Sequence, residues 1–255
     1  MSMEYQRVKA NLNLHAVLRN LETLVACDDK AAELIKSWEV TLQFSVLRGP
    51  ALYLEFQNGR CRAGEGVHHA PDVRLFFLSA RHLNRMMDGK ASPIPLKGFT
   101  RLSFLTKEFP KLTDRLEYFL KPDEALLADD AFCEINTRLN LGVAAYAVRE
   151  LATTDSMGRL NAASMPEGTL SIRVLPNGPS VSIVKENGGY AVGKPNPENP
   201  MAVMSFRDMG VANDLMNGKC DAFAALAKGD VSMKGKIPMI EAVNLLMDRI
   251  PHYLG

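Results

Sequence analysis

The sequence predicts an α+β protein in which one fold occurs twice. Three observations carry this. The stretch from Asp208 to Ile250 reads as helix, Asn-Gly-Lys stop, short helix, strand, turn and closing helix; earlier, Met86-Met87-Asp88-Gly89-Lys90 stands where Leu215-Met216-Asn217-Gly218-Lys219 stands later. Each half opens with apolar residues at helical spacing. In each half alternating strands follow, punctuated by the same turn residues.

The opening helices come first. Leu14, Val17, Leu18, Leu21, Leu24 and Val25 recur at helical spacing. Leu12-Asn13-Leu14 matches Leu139-Asn140-Leu141, and Leu24 matches Leu151, at a constant offset of 127 residues. Trp38, Val40, Leu42, Phe44 and Val46 then alternate with other residues, as do Leu170, Ile172 and Val174. A period of two gives a strand one apolar face. These strands end at Gly49-Pro50 and Gly178-Pro179, a turn signal. The next strands (Leu52, Leu54, Phe56; Val181, Ile183) run into Asn58-Gly59 and Asn187-Gly188, which predict hairpins. Strands at 73–78 and 202–206 lead to Ser79 and Asp208 as helix N-caps, and the helices stop at Gly89 and Gly218. Lys97-Gly98 and Lys228-Gly229 are expected to open a last strand, over Thr100, Leu102, Phe104 and over Val231, Met233. Pro110 and Pro238 suit the first turn of a closing helix. The domains expected are 1–126 and 127–255, joined near Pro122 to Ala131; that joint reads equally as the first turns of the second opening helix.

Composition narrows the function classes. Hydrophobic residues make up 47% and charged residues 23% of 255, which fits a globular chain with a full core. The net charge of +1 gives no global field for nucleic acid, although Arg60, Arg62, Arg74, Arg81 and Arg85 make part of the first half basic. No apolar run reaches membrane-spanning length, and Met1 to Leu14 lack a signal-peptide core. Cys27, Cys61, Cys133 and Cys220 form no Cys-x-x-Cys pair, so a zinc site is not expected and a reducing cytoplasm is. Thirteen methionines are many, and their side chains adapt to irregular contents.

The residues Asn217-Gly218-Lys219, Ala224 to Gly229, Val231-Ser232-Met233-Lys234-Gly235 and Ala242 to Leu246 resemble the closing half of the sterol carrier protein type 2 domain. The resemblance covers nearly all of 127–255. It extends to 5–121 more weakly, as a degenerate copy: Phe104-Leu105-Thr106 replaces Met233-Lys234-Gly235, and Pro93 and Pro95 interrupt the short helix. It implies sterol-carrier-like domains of about five strands covered on one face by helices, with an apolar tunnel between. The lining expected from it is Ile172, Val181, Ile183, Met204, Phe206, Met216, Phe223, Val231, Met233, Met239, Val243, Leu246 and Met247. Periodicity alone is met equally by a packed core.

Catalytic signals are sparse. His68-His69 lies in a loop beside Glu65 and Asp72, where a solvated loop is the simpler reading than a metal site. Ser156 and Ser164 lack a nucleophile elbow. Gly188-Gly189 with Gly193 lacks the ending of a phosphate loop. Cys220 follows Lys219 near the start of a short helix, which would lower its pKa, against the plainer reading of a structural thiol. The leading expectation is therefore a non-enzymatic carrier of a lipid, acyl chain, sterol or quinone-like molecule, with no cofactor or metal. Its partners would be that ligand and, transiently, a membrane, with the two domains pairing about a pseudo-two-fold. The alternatives are an interaction or regulatory subunit with filled pockets and, behind it, an enzyme acting on a lipid or thioester.

Overall fold

A computed structural model describes residues 2–255. The chain divides into two compact units, one reaching Tyr118 and one spanning Phe119–Tyr253.

In the first unit, helix α1 (Met3–Leu12) is capped by Ser2 and passes through a π-helical turn (Asn13–Val17) and a 3-10 turn (Leu18–Asn20) into α2 (Leu21–Cys27). Helix α3 (Asp29–Ile35) follows. Strands β1 (Val40–Val46), β2 (Ala51–Gln57), β3 (Arg60–Glu65) and β4 (Val73–Phe77) lead to α4 (Ala80–Met87), β5 (Ile94–Lys97) and α5 (Phe109–Leu120). The sheet order is β3-β2-β1-β4-β5, with β1 and β4 parallel and the other pairs antiparallel.

The second unit repeats the plan. A 3-10 turn (Glu124–Ala128) precedes α6 (Asp130–Thr154), then come α7 (Ser156–Ala163), β6 (Gly168–Val174), β7 (Ser180–Glu186), β8 (Gly189–Gly193) and β9 (Ala202–Phe206). Helices α8 (Met209–Met216) and α9 (Ala222–Ala227), strand β10 (Val231–Gly235), α10 (Ile237–Met247) and α11 (Ile250–Leu254) complete it. Its strand order, β8-β7-β6-β9-β10, is that of the first sheet, with β6 and β9 the parallel pair. Both units are α+β.

Local chemistry explains these elements. Asn58 and Gly59 have φ of 53° and 68°, and Asn187 and Gly188 of 51° and 74°. Positive φ at both central residues is the type I′ geometry, whose twist matches that of the strands it joins. Ser79 accepts the His82 N–H and Asp208 the Val211 N–H as the predicted N-caps. Gly89 and Gly218 end those helices in the left-handed region, both at φ 69°.

The last strand of the first unit departs from expectation. Thr100, Leu102 and Phe104 are helical, and the strand is Ile94–Lys97. Gly98 ends it at φ 89°, as Gly235 ends β10 at φ 100°. Lys97-Gly98 therefore stands against Lys234-Gly235, with an irregularity at Leu96 that sets Pro95 against Met233 and Ile94 against Ser232, and it closes the strand that the sequence suggests it opens. Pro95 is tolerated because β5 is an edge strand. The second unit inserts α9 before its strand, and the first inserts residues 99–108 after its own. The two insertions offset each other in length, which hides both. Leu102, Leu105, Phe109, Leu112 and Leu116 keep the helical spacing that the alternation at 100–104 obscured.

Candidate functional site

The expected lining residues of the second unit fall into register on one face of its sheet. Ile172 pairs with Val181 on one side and Met204 on the other, and Met204 pairs with Met233. Leu170 likewise sits between Ile183 and Ala202. Val174 pairs with Phe206, and Phe206 with Val231. A strand period of two puts all of these on the same side. Ile172, Val181, Ile183, Met204, Phe206 and Val231 are buried, and Met233, on an edge strand, is half-buried.

The opposite face is built differently. Ser171 pairs with Ser182 there, and Arg173 Nε donates to Ser205 Oγ at 3.1 Å. Ser182 Oγ donates to the Lys194 carbonyl at 2.7 Å. Buried hydroxyls of this kind need such partners.

Helices α6 and α10 pack against the sheet, α6 over β7 and β8 and α10 over β9. Met239, Val243 and Leu246 of α10 are buried, and Met247 is half-buried. Met216, near the end of α8, is half-buried as well. Phe223 is the exception and corrects the expectation: it is 83% exposed on α9, which turns Ala225 inward instead. Residues two apart on a helix point roughly 200° away from each other, so a helix this short offers one of the pair to the core.

One row of the inner face is not apolar. Lys185 pairs with Gly168 on one side and Tyr190 on the other. Lys185 Nζ donates to the Met165 carbonyl at 2.6 Å and the Ala162 carbonyl at 3.4 Å. Tyr190 Oη donates to the same Ala162 carbonyl at 3.0 Å. A Cβ on Gly168 would lie 2.0 Å from Met201 Sδ and 3.5 Å from Met239 Cε. This row was not singled out in the sequence, although Lys185 continues the inward alternation of Val181 and Ile183.

At several matched register positions the first unit carries the larger side chain, although Tyr190 stands where it has Cys61. Phe44 stands where Ile172 does, Leu52 where Val181 does, and Val73 where Ala202 does. Its counterpart of the Gly168–Lys185–Tyr190 row is Val40–Phe56–Cys61. Trp38 lies edge-on to Phe56 at 5.1 Å and to Phe104 at 4.8 Å, and Phe109 approaches Phe44 at 6.2 Å and Phe56 at 6.4 Å. The aromatic volume is interlocked, in pair geometries that rings prefer.

Other expected chemistry resolves as follows. Cys220 is exposed, and its thiol is pushed up: desolvation acts first, then the charges of Asp214, Asp230 and Asp221, which outweigh Lys228. The lowering expected from Lys219 does not occur. The His68 and His69 rings lie 4.4 Å apart, tilted to each other; the His68 backbone N–H donates to Gln43 Oε1 and its ring packs 4.9 Å from Tyr53. Among the described residues no helix is long and apolar enough to cross a membrane.

Residues 18–103 match the model of the SCP-2 sterol transfer family. The match lies in the first unit, the half that sequence resemblance ranked as the weaker copy. With Lys97-Gly98 set against Lys234-Gly235, that half no longer lacks the glycine that ends the last strand. The chain is similar to the solution structure of a conserved hypothetical protein, possibly a sterol carrier protein, from Thermus thermophilus, with 21% identity over 41% of this chain and 81% of that one and a TM-score of 0.30. It is similar to sterol carrier protein domain 2 of Helicoverpa armigera, with 18% identity over 43% and 87% and a TM-score of 0.33. Sterol carrier protein 2 of Yarrowia lipolytica in its apo form gives 16% identity over 42% and 89%, and a TM-score of 0.31. A search of curated proteins finds no match.

Proposed function

We propose that the chain is a non-enzymatic carrier or sequestering protein for an apolar small molecule, held in the second unit between the inner face of its sheet and helices α6 and α10. The match of residues 18–103 to a sterol transfer family supports the class of activity. One observation supports the place: at matched register, Ile172, Val181, Ala202 and Gly168 replace Phe44, Leu52, Val73 and Val40. At Ile172, Val181 and Ala202 the second unit carries less side-chain volume than the first, while Met201 takes the place of a side chain at Gly168. A ligand's hydrocarbon would take that volume, gaining about 0.8 kcal/mol per methylene removed from water. The methionines Met204, Met233, Met239 and Met247 suit a guest of variable shape.

On this reading the chain is a duplication, with domains 1–126 and 127–255. The first copy is the structural partner and the second the binding copy, in a reducing cytoplasm where all four thiols stay free. The test restores the first unit's residues to the second. Wild type and an Ile172→Phe/Val181→Leu variant of the full chain are titrated with a neutral fluorescent lipid probe, and copurifying lipid is sought by native mass spectrometry. Wild type should bind; the variant should lose binding while its unfolding free energy stays within the span of ordinary repacking, about 1.5 kcal/mol. Equal binding by both, or no binding of fatty acids, sterols or quinones by wild type, refutes the proposal.

A further inference from the structure

Lys185 is an inner-face residue without a counter-ion. Its strand parity places it with Val181 and Ile183, and its ammonium reaches the end of α7 beneath the helical layer. Among the described residues it forms no ion pair: its partners are the carbonyls of Met165 and Ala162 and the face of Tyr190, 5.4 Å from the ring centroid. A lysine has three N–H donors, and two are used here. Lys185 is half-buried, and an ammonium partly withdrawn from water gains from an opposite charge.

The surroundings suit a ligand that supplies the missing charge. The residue across the register is Gly168, and the space above it is taken by the thioether of Met201, a flexible side chain that is 38% exposed. Met239 lies beyond Met201, and the buried Met165 belongs to the loop whose carbonyl holds Lys185. The apolar rows of Leu170, Ile183 and Ile172 begin next to this corner. One end of the inner face is thus cationic and the rest hydrocarbon. In the first unit the same row is Val40–Phe56–Cys61, apolar throughout.

Resting on the reading of the second unit as the binding copy, we infer that Lys185 is its head-group residue: it selects a long-chain ligand ending in an anionic group over one ending in a hydroxyl. The third N–H of Lys185 donates to the anion, and the chain runs from there along the inner face. A carboxylate and a phosphate monoester share this chemistry.

Three probes of equal chain length separate the possibilities: palmitate, hexadecyl phosphate and hexadecanol, each below its aggregation limit and each titrated against the full chain by displacement of a neutral fluorophore. Wild type should bind at least one anion about tenfold or more tighter than hexadecanol. The tighter anion identifies a fatty acid or a phosphate-headed lipid as the source. Lys185→Met should abolish the preference by weakening the anions alone, and Lys185→Arg should keep it. Hexadecanol binding as tightly as both anions overturns the inference but leaves the carrier reading intact. So does a Lys185→Met variant that weakens all three probes equally, the result expected if Lys185 only caps the carbonyls of α7. No binding of any probe overturns the inference, and the carrier reading falls with it if sterols and quinones also fail to bind.

Discussion

Replacing Asp28 with alanine should destabilise the protein by about 3 kcal/mol, and the loss should be shared with Arg115. Asp28 does two things with one carboxylate. It caps α3, accepting the Ala31 N–H at 2.9 Å, and it receives Arg115 of α5 through Nε at 2.8 Å and Nη2 at 2.7 Å. The Asp28 side chain is 6% exposed and that of Arg115 19%. Loss of a cap costs about 1 kcal/mol. Leaving the guanidinium without its carboxylate adds roughly 2 kcal/mol, below the range of a fully buried pair because Arg115 keeps some solvent and the Tyr118 face at 4.8 Å. Urea unfolding followed by tryptophan fluorescence reads the right region, because Trp38 is the one tryptophan and lies in the first unit. With a slope near 2 kcal/mol per M, the midpoint should fall by about 1.5 M.

The pH dependence carries a definite sign. Burial pushes the Asp28 carboxyl up, but the Arg115 hydrogen bonds and the Ala31 N–H outweigh it and hold it below its ordinary value. A depressed folded-state value means that the unfolded chain binds the proton more readily. The contribution is therefore present above the ordinary aspartate range and is lost as pH falls through the lower folded value. Wild type should lose its advantage over Asp28→Asn in acid and keep it at neutral pH. A cycle of Asp28→Ala, Arg115→Ala and the double variant completes the test. Losses that add to within about 0.5 kcal/mol would show that the two side chains do not act together, and the reasoning would fail.

Two further outcomes follow from the geometry. Gly235→Ala should destabilise the second unit, because the residue sits at φ 100° and a Cβ would meet the Met201 carbonyl oxygen at 2.1 Å; a loss above about 2 kcal/mol by calorimetry is expected, and a change within about 0.5 kcal/mol would contradict it. Native thiol labelling should modify Cys220 first, since it is exposed, while Cys61, which is buried and whose thiol burial and Glu22 push far up, should react only on unfolding; peptide mapping that finds Cys61 modified at the rate of Cys220 would refute this.

The elements legible in the sequence were those with one dominant local cause. Asn-Gly with two positive φ values, a Ser or Asp cap and a left-handed glycine each act over four residues, and all stand where the residues suggested. The inner face of the second sheet was legible for the same reason, since Ile172, Val181, Met204 and Met233 alternate regardless of context. The last strand of the first unit was not. Lys97-Gly98 has the same local chemistry whether it opens a strand or closes one, and only pairing of Ile94 and Lys97 with β4 decides. Phe223 escapes a sequence reading because apolarity does not guarantee burial, and α9 is too short to bury both Phe223 and Ala225.

Lys185 marks a different limit. A search for apolar periodicity skips a lysine, yet the strand carrying Val181 and Ile183 turns its next inward position to Lys185 whatever the side chain. Parity, applied to polar as well as apolar residues, would have found it. The same parity argument separates the two units. A sheet's order and register are set by backbone pairing, so they survive exchange of Phe44 for Ile172 or Phe56 for Lys185. The interior does not survive such exchange, because its packing depends on volume and on charge. Two units with one strand order thus have different interiors, and the differences lie in those inward rows.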